Sequence, residues 1–390
     1  MIDIKSQIIK PALDLEDLKV VASAEGWKLT DLHSLGFFLN RNFKYRRKIT
    51  ITEQSGSDLT DYQVLIELNS TNFDFTHAQT NGEDIRFTDT NGNLLDYWIE
   101  EWDSVNKKAK IWVKVPSIPA DSSIEIFMYY GNPEITSASD ASATFIRVID
   151  GLVASWHFDE GAGTTAYDSS GNDNDGTIYG ATWADGKFKK ALNFDGSDDY
   201  VTIPHDASFD VDKVTITAWF KADALGYNWR KIVCHPYYDD QWSDPYSVYA
   251  LGIDNANKIL GEISIGTSNV KVGGSVLNTG LWYFAAMTFD GEFLKIYLNS
   301  VEEDSLSVSG SLNHRSTKVH IAKAYDAANT ELFDGIIDEV CIFNRALTQE
   351  EISDLYNNYG YSTENYPGKV LVRKYTEPEP SVSLRAEETA

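Results

Sequence analysis

The sequence predicts an all-β protein: two antiparallel β-sandwich (jelly-roll) domains behind a small, partly helical N-terminal arm. Three observations carry this. Apolar and polar residues alternate in short runs, the period of a half-buried strand. From about residue 43 such runs recur roughly every 10–15 residues with no sustained helical period between them, as antiparallel sandwiches require. Aromatic residues make up 13% of the 390 residues, with 10 Trp and 21 Tyr, and flat rings fill the space between stacked sheets.

Residues 1–42 read as a docking arm. Leu15, Leu18 and Val21 recur near helical spacing up to Gly26, and a second short helix is expected from Thr30, with Leu32 and Leu35 as its apolar side and Gly36 as its stop. So short a segment cannot bury a core of its own, so it is expected to dock on the next domain or on another protein. Residues 43–147 give the first sandwich. Tyr45, Arg47, Ile49 and Ile51 share one alternation, and 62–68 is another strand. Asn91-Gly92, between Ile85–Phe87 and Leu94-Leu95, signals a hairpin because both turn residues tolerate positive φ. Residues 110–115 and 124–129 continue the pattern.

Residues 148–358 give the second sandwich, after a linker at 138–150. Strands are expected at 214–220, 282–289, 294–299 and 335–343, each with one apolar face. Thr348 then caps a short helix over 350–356. Residues 359–390 form a tail. Its strand, Lys369 to Tyr375, is stopped by Glu377-Pro378-Glu379-Pro380. That strand is expected to return to the first sandwich; the alternative is an independent exposed tail.

Charge narrows the partners. The formal net charge of −26 opposes nucleic-acid binding, which needs a positive face to displace counterions. No apolar run reaches the ~18–20 residues of a membrane span, so no membrane insertion is expected. Met1–Lys5 has neither a basic n-region nor an apolar h-region, so it does not read as a signal peptide. Two cysteines, Cys234 and Cys341, do not make a disulfide scaffold; pairing with each other and two buried free thiols both remain open. No coiled-coil heptads are present to enforce a homo-oligomer.

Two resemblances refine this reading. Asp84–Phe87, Tyr97–Trp102, Ile111–Pro116 and Tyr129–Pro133 resemble an uncharacterised β-sandwich domain that recurs in archaeal and bacterial surface proteins and in some viral proteins. Gly151–Gly161 with Trp156 and Phe158, then Tyr167–Thr177, Ala191–Gly196 and Asp199–Val201, resemble the opening strands of a laminin-G-like (concanavalin A-like, pentraxin-type) jelly roll. Asp338-Glu339-Val340 followed by Asn344–Ile352 is similar to that family's closing signature. The second resemblance implies a module that binds rather than cuts.

Candidate sites follow. The loop 168–175 packs carboxylates, amides and Ser around Gly171, and Ca²⁺ takes six to eight oxygens from such loops. Asp168, Asn172 and Asn174 are the candidate ligands; the laminin-G resemblance adds Asp338. The competing view is that Asp, Asn and Gly are there as turn formers. Residues 227–249 interleave aromatics with acids: Trp229, Tyr237, Tyr238, Asp240, Trp242 and Tyr246 are candidates for a sugar-binding face, since rings stack on sugar C–H faces while carboxylates accept hydroxyl protons. The bland alternative is a long loop packed on its own rings. Catalysis finds little support. Glu262 supplies one carboxylate where glycosidases need at least two, adjacent Asp338 and Glu339 point to opposite faces of a regular strand, and no Gly-x-Ser-x-Gly or His-Glu-x-x-His occurs.

The expectation is a non-catalytic adhesive surface protein, a virion or particle appendage whose laminin-G-like head binds a host glycan or surface protein and whose arm docks on other structural subunits. Its place would be the virion surface or the extracellular or cell surface. The rival expectations are a cell-envelope or secreted adhesin and a carbohydrate-binding accessory module.

Overall fold

The computed structural model describes residues 39, 42–226, 228–241, 243–326 and 331–390. The expected arm at 1–42 lies outside the described residues, save Leu39 and Asn42. Contacts divide the chain into two units, 1–146 with 373–390, and 147–372. No described helix is long and apolar enough to cross a membrane.

The first unit contains β1 (Tyr45–Thr52), β2 (Leu59–Asn69), β3 (Arg86–Asp89), β4 (Leu94–Leu95), β5 (Tyr97–Asp103), β6 (Lys108–Ile118), β7 (Ser123–Tyr130) and a single helical turn, α1 (Ala141–Thr144). One sheet holds β1, β7, β3 and β4 and the other β2, β6 and β5. Alternation decides what lies between them. Ile49 and Ile51 of β1 and Ile126 and Met128 of β7 face Val64 and Ile66 of β2 and Ile111 and Val113 of β6, all buried in one cluster. The Asn91-Gly92 hairpin forms: Phe87 pairs with Leu95 and Thr88 with Leu94, and Gly92 has φ +76.

The second unit contains β8 (Arg147–Asp150), β9 (Leu152–Trp156), β10 (Thr165–Ala166), β11 (Gly176–Tyr179), β12 (Thr182–Asp185), β13 (Lys190–Asp195), β14 (Tyr200–Ile203), β15 (Val214–Ala222), β16 (Arg230–Pro236), β17 (Ser247–Ile253), β18 (Lys258–Ile265), β19 (Ser268–Val276), β20 (Trp282–Phe289), β21 (Phe293–Leu298), β22 (Val301–Ser307), β23 (Val319–Ile321), β24 (Asp334–Phe343), α2 (Gln349–Asn357), β25 (Tyr359–Tyr361) and β26 (Lys369–Arg373). One eight-stranded sheet runs β10-β11-β14-β23-β16-β17-β18-β19. The other runs β12-β13-β24-β15-β20-β21-β22, with β9 also paired to β24. Their inner faces share one core, with Val233, Leu251, Ile263 and Ile321 from the first sheet and Ile216, Phe220, Met287, Ile296 and Ile342 from the second. Helix α2 opens with a complete capping box between Thr348 and Glu351. It presses Ile352 and Leu355 onto the outer face of the second sheet, beside Trp219, Phe284 and Phe343.

The tail departs from expectation. β26 does not pair with a strand of the first sandwich; it pairs with β8, Lys369 against Asp150 and Val372 against Arg147. The strand that returns is β27 (Ser381–Thr389), beyond the prolines expected to end regular structure. It pairs with β1 along its length. Charge and pattern explain the choice. Arg46 lies opposite Glu388 and Arg47 opposite Glu387, while Val382 and Leu384 pack against the first core. Val370 and Val372, by contrast, find apolar partners in the cluster under α2. Cys234 and Cys341 are both buried and free; they belong to different sheets, and each side chain lies off the shared core, so no bond joins them.

Candidate functional site

Strand registers line up one polar row across the first eight-stranded sheet. Thr202 lies opposite His320, His320 opposite Cys234, Cys234 opposite Ala250, Ala250 opposite Glu262 and Glu262 opposite Lys271. Six strands at ~4.8 Å spacing make this row about 24 Å long. Side chains alternate along a strand, and the neighbours Val201, Ile321, Val233, Leu251, Ile263 and Val272 all point into the core. The row therefore occupies the opposite, outward face.

Glu262, next to the Lys271 end, carries the row's buried charge. Its side chain is 0% exposed and that of Lys231 2%, and the two form an ion pair at 2.8 Å. Lys271 adds a second ammonium at 3.7 Å from the same carboxylate oxygen, and Glu331 comes within 3.9 Å of Lys231. Burial alone would raise the Glu262 pKa, but the two lysines outweigh it and hold it below the ordinary carboxylate value. Burial likewise opposes the charge of Lys231, and Glu262 overrides it, leaving the lysine raised. Further along the row, burial pushes His320 down to about 4. It is a neutral imidazole, 3.0 Å from the Thr202 hydroxyl through Nδ1.

Four of the expected ligand-face residues fall into two aromatic pairs. Trp229 and Tyr246 come together on Lys271, whose ammonium is 4.1 Å and 5.2 Å from their ring centres. Such contacts stabilise a cation and fix the ring. Tyr237 is 6% exposed and belongs to the core, which removes it as a ligand platform; with Tyr238 it sits under the Arg315 guanidinium, at 3.7 and 5.9 Å. Asp240 is exposed, and Trp242 lies outside the described residues. Sequence reasoning missed Lys231, Lys271, Glu331 and Arg315. One of these was recoverable. Ile265 pairs with Ser268, so the two-residue turn at Gly266-Thr267 sets Glu262 against Lys271 by counting back. It also missed a platform at the row's other end, where Tyr179 stacks on Tyr200 at 4.8 Å and the Lys323 ammonium lies 3.8 Å from the Tyr200 centroid.

The expected calcium ligands are used otherwise. Asp168 is buried, and its carboxylate accepts four hydrogen bonds. Ser155 N and Ser170 N donate to Oδ1, and Ser170 Oγ and Asn174 N to Oδ2. Those donors fill its lone pairs. Asn172 and Asn174 both donate their amide groups to the Val153 carbonyl, so the donor ends point inward. Asp338 accepts from Lys187 N and Phe188 N in a different loop. The four residues are hydrogen-bond clasps for two loops, not a shared oxygen shell. Among the described residues, one acidic triad, Asp195, Asp198 and Asp199, brings its carboxylates together.

A second polar network lies on the outer face of the other sheet. The register of β15 on β24 slips between Thr217 and Trp219, and Glu339 takes φ +51. This bulge breaks the alternation that would have sent Asp338 and Glu339 to opposite faces. Glu339 Oε2 is 2.9 Å from His157 Nδ1, His157 Nε2 is 2.7 Å from Ser362 Oγ, and Ser362 donates to Ser155 at 2.8 Å. Burial would lower the His157 pKa, but the Glu339 carboxylate outweighs it and the pKa is raised. Burial raises Glu339 and, further, Asp338.

Comparison with known proteins agrees with the two resemblances. Residues 195–353 match the family model described as the concanavalin A-like lectin/glucanases superfamily, and residues 81–172 match a domain of unknown function. Human pappalysin-1 is 24% identical over 204 residues, 47% of this chain and 12% of that protein, so the chain spans about an eighth of that relative. Among solved structures, the binding domain of Paraclostridial Mosquitocidal Protein 1 aligns with a TM-score of 0.44 at 16% identity, over 56% of this chain and 55% of that one. Domain 4 of an extracellular arabinanase from Geobacillus stearothermophilus, in complex with arabinotriose, aligns at 0.42 and 21%, over 53% and 98%. The receptor-binding domain of a botulinum neurotoxin C/D mosaic serotype aligns at 0.43 and 15%, over 53% and 51%.

Proposed function

We infer that this chain, which carries a concanavalin A-like unit and a sandwich of unknown function, is a non-catalytic adhesive surface protein, with the second unit as its binding head. The observation that carries the reading is Lys271 held between Trp229 and Tyr246 at one end of the outward polar row. A half-exposed indole offers a flat apolar face, and the ammonium beside it donates to hydroxyl or carboxylate oxygens. That pairing suits a glycan, or a glycan-like polar patch on a surface protein. Non-catalytic action is supported by the state of Glu262. A glycosidase needs a carboxylic acid whose pKa is raised so that it can protonate the leaving group. Here two lysines hold the carboxylate ionised.

The test is a glycan array probed with wild type and Trp229→Ala. Loss of at least ten-fold in apparent affinity, with the circular dichroism spectrum retained, supports glycan recognition. Binding unchanged by the substitution overturns this site as the ligand face.

For the carrier, we propose a virion or other particle, with residues 1–42 docking on neighbouring subunits. Density-gradient fractionation of the native source tests it. Co-sedimentation with DNA-containing particles supports a virion appendage; recovery only in envelope fractions favours a cell-envelope adhesin.

A further inference from the structure

The first sandwich has a cleft of its own, about 250 Å³ in volume, lined by Lys44, Tyr45, Thr76, His77, Gln79 and Pro133 among others. Its floor is held rigidly. Asp84 is fully buried and accepts from Gln79 N at 2.8 Å, Gly131 N at 2.6 Å and Asn132 N at 3.1 Å. Gly131 adopts φ +84 and lies so close to the wall that a Cβ would stand 2.6 Å from the Tyr45 ring. The wall is a stack: His77 lies on Tyr45 at 4.0 Å and 4°, and Tyr130 stacks with Tyr45 at 5.7 Å.

The polar atoms are arranged as well. His77 Nδ1–H donates to Glu387 Oε1 at 2.9 Å, and Glu387 also accepts from the Tyr130 hydroxyl at 2.6 Å. With Nδ1 engaged, Nε2 is the ring nitrogen left to meet a ligand. The nearest acidic oxygen, on Asp74, stands 3.7 Å away, beyond hydrogen-bond reach, and the His77 side chain is 30% exposed. Thr76 donates its hydroxyl proton to Asp74, which leaves its oxygen as an acceptor. Lys44 also lines the cleft. A ligand carrying a negative charge would meet Asp74 and Glu387 behind the imidazole, and one carrying a positive charge would meet Lys44. A neutral polyol suits this lining, because each hydroxyl both donates and accepts and so can meet Thr76, Nε2 and Lys44 alike. The volume falls below the ~300 Å³ at which drug-sized pockets begin, so it accommodates one ring and not a chain of them.

We propose that this cleft is a monosaccharide site that takes a single neutral hexopyranose. It is independent of the ligand face on the second unit.

Saturation-transfer difference NMR on the full chain, with the methyl glycosides of glucose, galactose and mannose as probes, tests the assignment. At least one probe is expected to give transfer. The response should fall at least ten-fold in His77→Phe, which keeps a ring on Tyr45 but lacks Nε2, and persist in Trp229→Ala. If His77→Phe does not fold, Lys44→Met replaces it, with a several-fold loss expected. The proposal is overturned by absence of transfer from all three probes, by a response that survives His77→Phe or Lys44→Met, by loss in Trp229→Ala, or by stronger transfer to N-acetylneuraminic acid or glucosamine than to the neutral sugars.

Discussion

The two sheets of the second unit turn very different outer faces away from their shared core. One is sealed: α2 lays Ile352 and Leu355 over Trp219, Phe284 and Phe343, and the polar groups beside them are tied into the chain Glu339–His157–Ser362–Ser155. The other carries an ion pair, Lys231 and Glu262, with aromatic rings set over the flanking lysine. An outer face closed by the protein's own apolar residues is scaffold. An outer face kept polar, at the energetic cost of burying charge, is one on which recognition can be built.

The largest effect should come from breaking the ion pair. Glu262→Gln leaves Lys231 buried without its main partner, and a loss of about 3–5 kcal/mol is expected. Lys231→Met/Glu262→Leu should recover most of it. Urea denaturation of the single and the double variant measures this, and equal losses in both would show that packing, not charge, sets the cost. On the sealed face, Leu355→Ala should cost about 3 kcal/mol by leaving a cavity under α2, yet leave ligand affinity within two-fold. A parallel fall in affinity would blur the distinction between the faces.

Two histidines sharpen the comparison through pH. Burial lowers His320 to about 4, below its unfolded value of ~6.5. Its folded form binds fewer protons than the unfolded chain between those values, so stability is lost as pH falls from about 6.5 to 4. His157 is raised, because the Glu339 carboxylate outweighs burial. Its contribution is complete below about 6.5 and is lost as pH rises through the folded pKa. His320→Asn should therefore flatten the acid limb of a stability–pH curve, and His157→Gln should flatten the limb above 6.5. Thermal melts across pH 4–8 read both, and flattening of the same limb by both variants would contradict the assignment. The smallest effect expected is from Thr348→Ala, which removes the α2 capping box for about 1 kcal/mol, measured as a modest fall in melting temperature.

The parts legible in the sequence are those written in local chemistry. Alternation gave the strands of both sandwiches, Asn91-Gly92 gave its hairpin, and Thr348 with Glu351 gave the cap of α2. The parts that were not legible depend on register between distant segments. Glu262 meets Lys231 across an intervening strand, and Asp338 and Glu339 share a face because of one bulge residue at φ +51. Composition also misleads where a residue type serves two ends. Asp168 and Asn174 have the chemistry of cation ligands and of loop clasps alike, and the donors around them decide for the clasp. Tyr237 has the chemistry of a sugar platform and of core filler, and its burial decides for the core.

The pairing of β27 with β1 carries a consequence for synthesis. These strands are separated by more than 300 residues, so at ribosomal speeds of ~5–20 residues per second roughly 15–60 s pass between their emergence. Throughout that interval β1 has an open edge, and an open edge invites pairing with other nascent chains. Arg46 and Arg47 stand along it, and like charges on neighbouring copies repel. The same two arginines that later meet Glu388 and Glu387 thus serve as temporary guards, retired when β27 is made.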